Sequence, residues 1–395
     1  MKKLCTYLCI LAPIMLQAQA WIQVSDKPGA AIRGACSFVL NEEAYVVGGF
    51  NGSVNDASLW KYSPNEDSWS QLNSIPQPMR YGASFSVDGK GYVVGGIGSA
   101  GHSNQLWEYD PDTDTWQSKA QLPGPGRYGV FSFVIDDIAY VGCGNSGSAL
   151  GPYHNSCYRY SAEFNAWIEV ASLPALPSFG ATGFSYDGYG YVVGGTDVNG
   201  QSSALWQYDA DLDAWTEKEA YPNPVIYQST LSTTQGVIVA GGPSPNSHEA
   251  YQYIPANDQW YFIPPYLGGA SYTSVAFTIN DRYFIGLGYD SSTSDYYNDL
   301  WELKDLELVG LPVIATLSFE FFPNPFSHQA TVRFKSPLGP ALVRLYSIDG
   351  RLISSVQETY IDVQYIFQKG ELSVGQYFLQ FDSQTGVFEK LISID

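Results

Sequence analysis

Basic residues are scarce in this chain: 19 Lys and Arg stand against 39 Asp and Glu, a formal net charge of −20 over 395 residues. A surface so short of cations is a poor match for a phosphate backbone, which needs clustered lysine and arginine, and for a bare anionic bilayer. No nucleic-acid partner is expected. Long apolar runs are missing too. The one at the N-terminus, Leu4 to Leu16, is interrupted by Pro13 and too short to cross a bilayer, so no membrane span is expected. The absence of heptads or any long helical periodicity removes coiled coils and bundles. There is no nucleophile elbow, phosphate loop, zinc-binding helix motif or spaced carboxylate pair. Nothing in the sequence demands catalysis, and no cofactor is expected.

Residues 1–20 read as a signal peptide: Lys2 and Lys3, the apolar stretch, then Ala18-Gln19-Ala20 as a small-residue cleavage site. Cys5 and Cys9 leave with it, and neither follows a lipobox. With Lys2 and Lys3 gone, 17 cations against 39 acids leave the mature chain at −22. What is abundant is Gly (39), Tyr (30) and Trp (10), the composition of a strand-rich protein with many turns.

A repeat organises this material. Tyr45-Val-Val-Gly48-Gly49 recurs as Tyr92-Val-Val-Gly95-Gly96, Tyr140-Val-Gly-Cys143-Gly144, Tyr191-Val-Val-Gly194-Gly195, Ile238-Val-Ala-Gly241-Gly242 and Tyr283-Phe-Ile-Gly286-Leu287, at intervals of 47, 48, 51, 47 and 45 residues. An aromatic pair nine apart follows in five units: Trp60 and Trp69, Trp107 and Trp116, Tyr158 and Trp167, Trp206 and Trp215, Tyr251 and Trp260. Each unit reads as four short strands, with turns such as Asp88-Gly89 and Asp187-Gly188 between the first two. The sixth unit has Trp301, but Gly310 stands where its second Trp is due. Trp21-Ile-Gln-Val, followed by Pro28 and Arg33, parallels Trp69-Ser-Gln-Leu, followed by Pro76 and Arg80. The N-terminal strand therefore supplies the missing piece and closes a ring of six sheets, which leaves no free edge between them.

These residues resemble the kelch repeat, and the resemblance covers residues 21–303. It implies an all-β, six-bladed β-propeller. After a linker at 304–315 the grammar changes. Phe322-Pro-Asn-Pro325-Phe326, Val343-Arg-Leu-Tyr-Ser-Ile-Asp-Gly350-Arg351-Leu352, Gly375-Gln-Tyr-Phe-Leu-Gln and Glu389-Lys390-Leu391-Ile392 stand in the order of the C-terminal (type A) sorting domain of type IX secretion substrates in Bacteroidota. Residues 316–395 are similar to that domain, a small Ig-like β-sandwich. The resemblance implies Sec export through the periplasm, the type IX translocon as partner, and a secreted or outer-membrane cell-surface destination.

In a kelch propeller the connections between blades share a face with the loops joining second and third strands. That placement puts Arg33, Arg80 and Arg127 around one channel mouth, with Tyr81 and Tyr128 after two of them. Guanidinium groups there could hold a carboxylate or sugar bidentately, or could pair with carboxylates and carbonyls of neighbouring blades. His102, His154 and His248 lie in loops of the same face but in blades that are not all adjacent, so they do not define a metal site. Asp110-x-Asp112-x-Asp114 and Asp209-x-Asp211-x-Asp213 imitate half a calcium loop, but Thr115, Gln121, Ala214 and Ala220 occupy its key positions; they read as turns. Cys143 and Cys157 bracket the longest loop, and a disulfide between them is open; Cys36 reads as a buried thiol. The leading reading is a secreted binding module for an extracellular glycan or protein. Six-bladed kelch propellers include sialic acid mutarotases, so a carbohydrate-active enzyme stays open as the alternative. A structural surface protein without a small ligand is a third.

Overall fold

A computed structural model describes residues 20–394 except 149–150, 176–177, 244–248, 264–267, 269–271, 305–311, 314–318, 335–338, 348–351 and 384–385. The signal-peptide reading, His248 and the Asp349-Gly350-Arg351 turn lie outside the described residues. No helix among them is long and apolar enough to cross a membrane.

Six antiparallel sheets, five of four strands and one of five, are arranged as blades. Their inner strands, Cys36–Leu40, Ala83–Val87, Phe131–Ile135, Thr182–Tyr186, Ser229–Ser232 and Val275–Ile279, each touch the next, and the last touches the first. The ring is closed. Ala20–Val24 is the outer strand of the sixth blade, pairing with Tyr296–Lys304 so that Trp21 faces Leu303 and Gln23 faces Trp301.

Alternation along these strands decides what is buried. Inner strands carry a large apolar residue at the middle, and Phe38, Phe85, Phe133 and Phe184 stack on Tyr45, Tyr92, Tyr140 and Tyr191 of the second strand at 5.2, 5.0, 5.2 and 5.0 Å. Six buried clusters result, one at each seam between blades. Several of the intervening inner-strand residues are small and hydroxylated, Ser37, Ser84, Ser86, Ser132, Ser185, Thr230 and Thr278 among them. Ser84 Oγ donates to the carbonyl of Ser37 at 2.7 Å, and Ser132 Oγ to that of Ser84 at 2.8 Å. Splayed neighbouring blades leave those carbonyls without a backbone donor, and the hydroxyls supply one.

Each second Trp does more than fill a wedge. Trp69, Trp116, Trp167, Trp215 and Trp260 donate Nε1–H to the carbonyls of Ser25, Asn73, Ala120, Ala171 and Glu219, just past the outer strand of the preceding blade, at 2.8–2.9 Å. Two residues before each Trp, the side chains of Asp67, Asp114, Asn165, Asp213 and Asp258 accept the N–H of those same five residues. The same oxygens take a hydroxyl from Tyr62, Tyr109, Tyr160, Tyr208 and Tyr253. Among the described residues a two-way clasp thus joins each of these five seams. Asp114 and Asp213 belong to the calcium-like runs, and the rest of each run makes ordinary Asx turns: Asp112 and Asp211 N–H donate to Asp110 and Asp209 at 3.0 Å.

Beyond the propeller, Phe319–Phe322, Gln329–Phe334 and Gln364–Gln368 form one sheet, and Gly339–Ser347, Leu352–Ile361, Gly375–Ser383 and Gly386–Ile394 another. A separate core that includes Phe326, Val332, Leu345, Phe381 and Ile392 lies between them. Asn324 of the Pro-Asn-Pro entry accepts the N–H of Ser393 at 2.7 Å, fastening the start of the domain to its last strand. The stretch read as a linker, 304–315, is not wholly free chain. Pro312–Val313 pairs with Gln259–Ile263 as a fifth strand on blade five, because that outer strand offers an unpaired edge.

Candidate functional site at the channel mouth

Around the axis the chain repeats one backbone conformation six times. Gly34, Tyr81, Gly129, Gly180, Tyr227 and Thr273 all lie in the left-handed region, with φ of 64, 58, 62, 71, 55 and 59°. Their peptides form a closed circuit: Tyr81 N–H donates to Gly34 O, Gly129 to Tyr81, Gly180 to Gly129, Tyr227 to Gly180, Thr273 to Tyr227 and Gly34 to Thr273, at 2.7–3.4 Å. Below it lies an axial cavity of about 200 Å³, walled by inner-strand residues such as Ser37, Ser84, Ser132 and Thr230.

One residue earlier is the mouth position, which in five of the blades bridges a residue at or just beyond the end of the second strand. Arg33 bridges Phe50, Arg80 bridges Ile97, Tyr128 bridges Asn145, Phe179 bridges Thr196 and Tyr272 bridges Tyr289. Arg33 and Arg80 therefore occupy equivalent places in adjacent blades. Both flank the ring of Phe50, their guanidinium carbons 5.7 and 4.3 Å from its centroid. Arg33 also lies over Tyr289 at 4.3 Å and Tyr296 at 5.4 Å. Arg80 Nη1 donates to Asn55 Oδ1 at 2.7 Å, and Asn55 is itself fixed by donating to Ile97 O at 3.0 Å. Among the described residues no carboxylate comes within 4.0 Å of either guanidinium, and both Nε atoms are buried without a partner. Two cations thus stand on aromatic faces without a carboxylate partner among the described residues.

Arg127 does not join them, contrary to expectation. It stands four residues before its inner strand where Arg33 and Arg80 stand three, which turns it inward. At 1% exposure it is a structural residue. Its Nη1 donates to Cys143 O at 3.2 Å and Ser156 Oγ at 3.1 Å, and Nη2 to Pro123 O at 2.8 Å. Burial pulls its pKa down.

The mouth position in blade three is Tyr128 instead. It lies 5.0 Å from the His102 ring and 5.5 Å from Phe179, and accepts from Asn145 Nδ2 at 3.3 Å. Burial raises its phenol. Tyr81 takes the next position, in the circuit itself. Burial raises its pKa, while Arg33 and Arg80 pull it back.

His102 and His154 do not meet: His154 Nε2 bonds Ser146 Oγ at 2.8 Å. Among the described residues no three His, Cys, Asp or Glu side chains converge as metal ligands. Cys36, Cys143 and Cys157 are free and buried, so the Cys143–Cys157 bridge is not formed. The strand register explains this. Cys157 faces Gly142, not Cys143, and Cys143, at φ 58°, points its sulfur toward Ser178 Oγ at 3.8 Å.

Phe50, Asn55, Tyr289 and Tyr296 were not foreseen. They lie in or beside the second-to-third strand loops, whose sequences do not repeat, so periodicity gives them no signal.

The profile described as Attractin/LZTR1 beta-propeller matches residues 44–297. The chain belongs to that propeller family. A second profile, the secretion system C-terminal sorting domain, matches residues 320–395, so the chain is a kelch-type propeller carrying a tail of the kind handled by the type IX secretion machinery. Among curated relatives, Kelch-like protein 36 of Rattus norvegicus is 29% identical over 164 residues, 39% of this chain and 26% of its own length. A Kelch domain-containing protein of Sulfurisphaera tokodaii is 29% identical over 155 residues, 37% of this chain and 20% of its own length. Beta-scruin of Limulus polyphemus is 27% identical over 167 residues, 38% of this chain and 18% of its own length. The chain spans about a quarter or less of these proteins. A solved structure titled "Structure of YjhT" superposes with a TM-score of 0.62 at 18% identity, covering 72% of this chain and 98% of that one; the likeness is one of fold.

Proposed function

We propose that this exported propeller is a binding module whose channel-mouth face holds an acidic glycan. Arg33 and Arg80, flanking Phe50 and lacking a carboxylate partner among the described residues, carry the reading. A guanidinium stacked on aromatic faces keeps its in-plane N–H groups free for a ligand carboxylate. Tyr289 and Tyr296 hold the Arg33 guanidinium on their faces, and Tyr128 at the neighbouring mouth position adds a further aromatic ring, so charge and apolar surface stand together as a sugar ring with one charged group requires. The sorting tail supports an extracellular setting, reached by Sec export through the periplasm, with the cargo released or held at the outer surface.

The test is a glycan array probed with the mature chain, residues 21–395, comparing uronic- and sialic-acid-terminated glycans with neutral counterparts. Binding confined to the acidic set and lost in Arg33→Met supports the reading. Equal binding to both sets, or none, counts it out.

A further inference from the structure

Of the six residues in the axial circuit, three are glycine, which takes the left-handed conformation without strain. The other three are Tyr81, Tyr227 and Thr273, side chains for which that conformation is an uncommon and costly one. The circuit itself consists of peptide N–H and C=O groups alone, so it does not dictate these side chains. Thr273 turns its hydroxyl back onto the carbonyl of Tyr272 at 2.6 Å and is buried. The two tyrosines do the opposite.

Tyr81 lies across Gly34 so closely that a Cβ there would sit 2.4 Å from its Cε1. Tyr227 reaches from blade five over blades three and four: a Cβ on Gly129 would meet its Oη at 2.8 Å, and one on Gly180 its Cε2 at 3.1 Å. The glycines are thus the floor on which the two rings lie. Their centroids are 5.4 Å apart, and both rings border the top of the axial cavity. Arg80 stands 5.6 Å from the Tyr81 ring. Among the described residues neither phenol oxygen has a hydrogen-bond partner within the protein, and neither oxygen is sealed from solvent without one. Burial keeps both phenols protonated, hence available as donors.

We infer that Tyr81 and Tyr227 are specificity-determining contacts, whose hydroxyls read an oxygen of the ligand that Arg33 and Arg80 hold by its charge. This rests on the binding reading above and extends it: the ligand class becomes an acidic sugar with a hydroxyl or ring oxygen presented beside its carboxylate. The strained backbone is retained at these two positions because it aims the phenols across the axis.

The experiment uses the mature chain and its Tyr81→Phe, Tyr227→Phe, Arg33→Met and Arg80→Met variants, each titrated with the acidic glycans of the array and melted in parallel. Phenylalanine keeps the ring, so the melting temperature is expected to hold while affinity falls at least tenfold. Phenylalanine variants that bind like the parent overturn the inference and leave the arginine reading standing. Loss in the phenylalanine variants with both methionine variants unaffected keeps the tyrosines and removes the arginines. A parent chain that binds no acidic glycan overturns both.

Discussion

Asp67 accepts the backbone N–H of Ser25 at 2.8 Å across 42 positions of sequence, tying blade one to the strand that the N-terminus gives to blade six. Its Oδ1 also takes the Tyr62 hydroxyl at 2.9 Å, and Trp69 donates to Ser25 O at 2.8 Å. This clasp stands where the ring is joined by non-covalent pairing, so Asp67→Ala is expected to cost about 1–2 kcal/mol, roughly 2–4 °C in melting temperature. Scanning calorimetry reads it. Burial pushes the Asp67 carboxyl up, but the Ser25 N–H and the Tyr62 hydroxyl outweigh it and hold the pKa below 3.8. A depressed carboxylate contributes stability above its unfolded pKa and loses it as pH falls through the folded one. The gap between the Ala variant and the parent is therefore expected to narrow as pH falls below the ordinary Asp pKa of about 3.9.

At the alkaline end the sign reverses. Burial, aided by Glu43, pushes Tyr45 up to about 12, and burial does the same to Tyr160 and Tyr191. Tyr62, Tyr109, Tyr208 and Tyr253 rise for the same reason, reinforced by their bonds to aspartates. A raised phenol contributes stability in full below its unfolded pKa near 10 and loses it as pH climbs through the folded value. Stability is expected to fall steeply above pH 10, with a group of tyrosines ionising only as the sheets melt. Absorbance at 295 nm followed alongside far-ultraviolet dichroism checks this. Ionisation of every tyrosine near pH 10 with the sheets intact would contradict the buried stacks.

Arg33 and Arg127 should part company under the same substitution. Arg127→Met orphans Cys143 O, Pro123 O and Ser156 Oγ in a sealed site, which is expected to remove about 3 kcal/mol of stability. Arg33→Met replaces a guanidinium lying on ring faces with another chain that can lie there, so stability should stay within about 0.5 kcal/mol. Denaturant titration of the two variants decides. If Arg33→Met is the more damaging, Arg33 is a structural residue and the site is misplaced.

The ring of six was legible because the blade repeat is written in residues whose physics is local: paired glycines where strands must end, Trp where seams must be filled. The split sixth blade was legible for the same reason, since Trp21-Ile-Gln-Val copies the outer-strand pattern of Trp69-Ser-Gln-Leu. Arg127 was misread because one extra residue before its inner strand rotates it out of the mouth, and composition alone does not register a one-residue offset. The clasp was visible yet unread: Asp67, Asp114, Asn165, Asp213 and Asp258 each stand two residues before a Trp, but a turn aspartate looks local until its partner in the next blade is seen. Phe50, Asn55, Tyr289 and Tyr296 come from loops of different length, and only the closed fold brings them to the arginines.

The three cysteines of residues 21–395, Cys36, Cys143 and Cys157, offer the simplest check on blade three. Burial pushes Cys36 and Cys143 up to about 12 and Cys157 well above its ordinary value. At pH 8 a thiol with such a pKa is ionised to about one part in ten thousand, against roughly a quarter for a free one. Native protein is therefore expected to resist iodoacetamide, and denatured protein without reductant to take three labels. Two thiols that stay unlabelled until reductant is added would mean that Cys143 and Cys157 are bridged. Cys143 would then have to leave the turn that points its sulfur at Ser178, and since Arg127 donates to the Cys143 carbonyl at 3.2 Å, Arg127→Met would lose part of its destabilising effect in the oxidised protein.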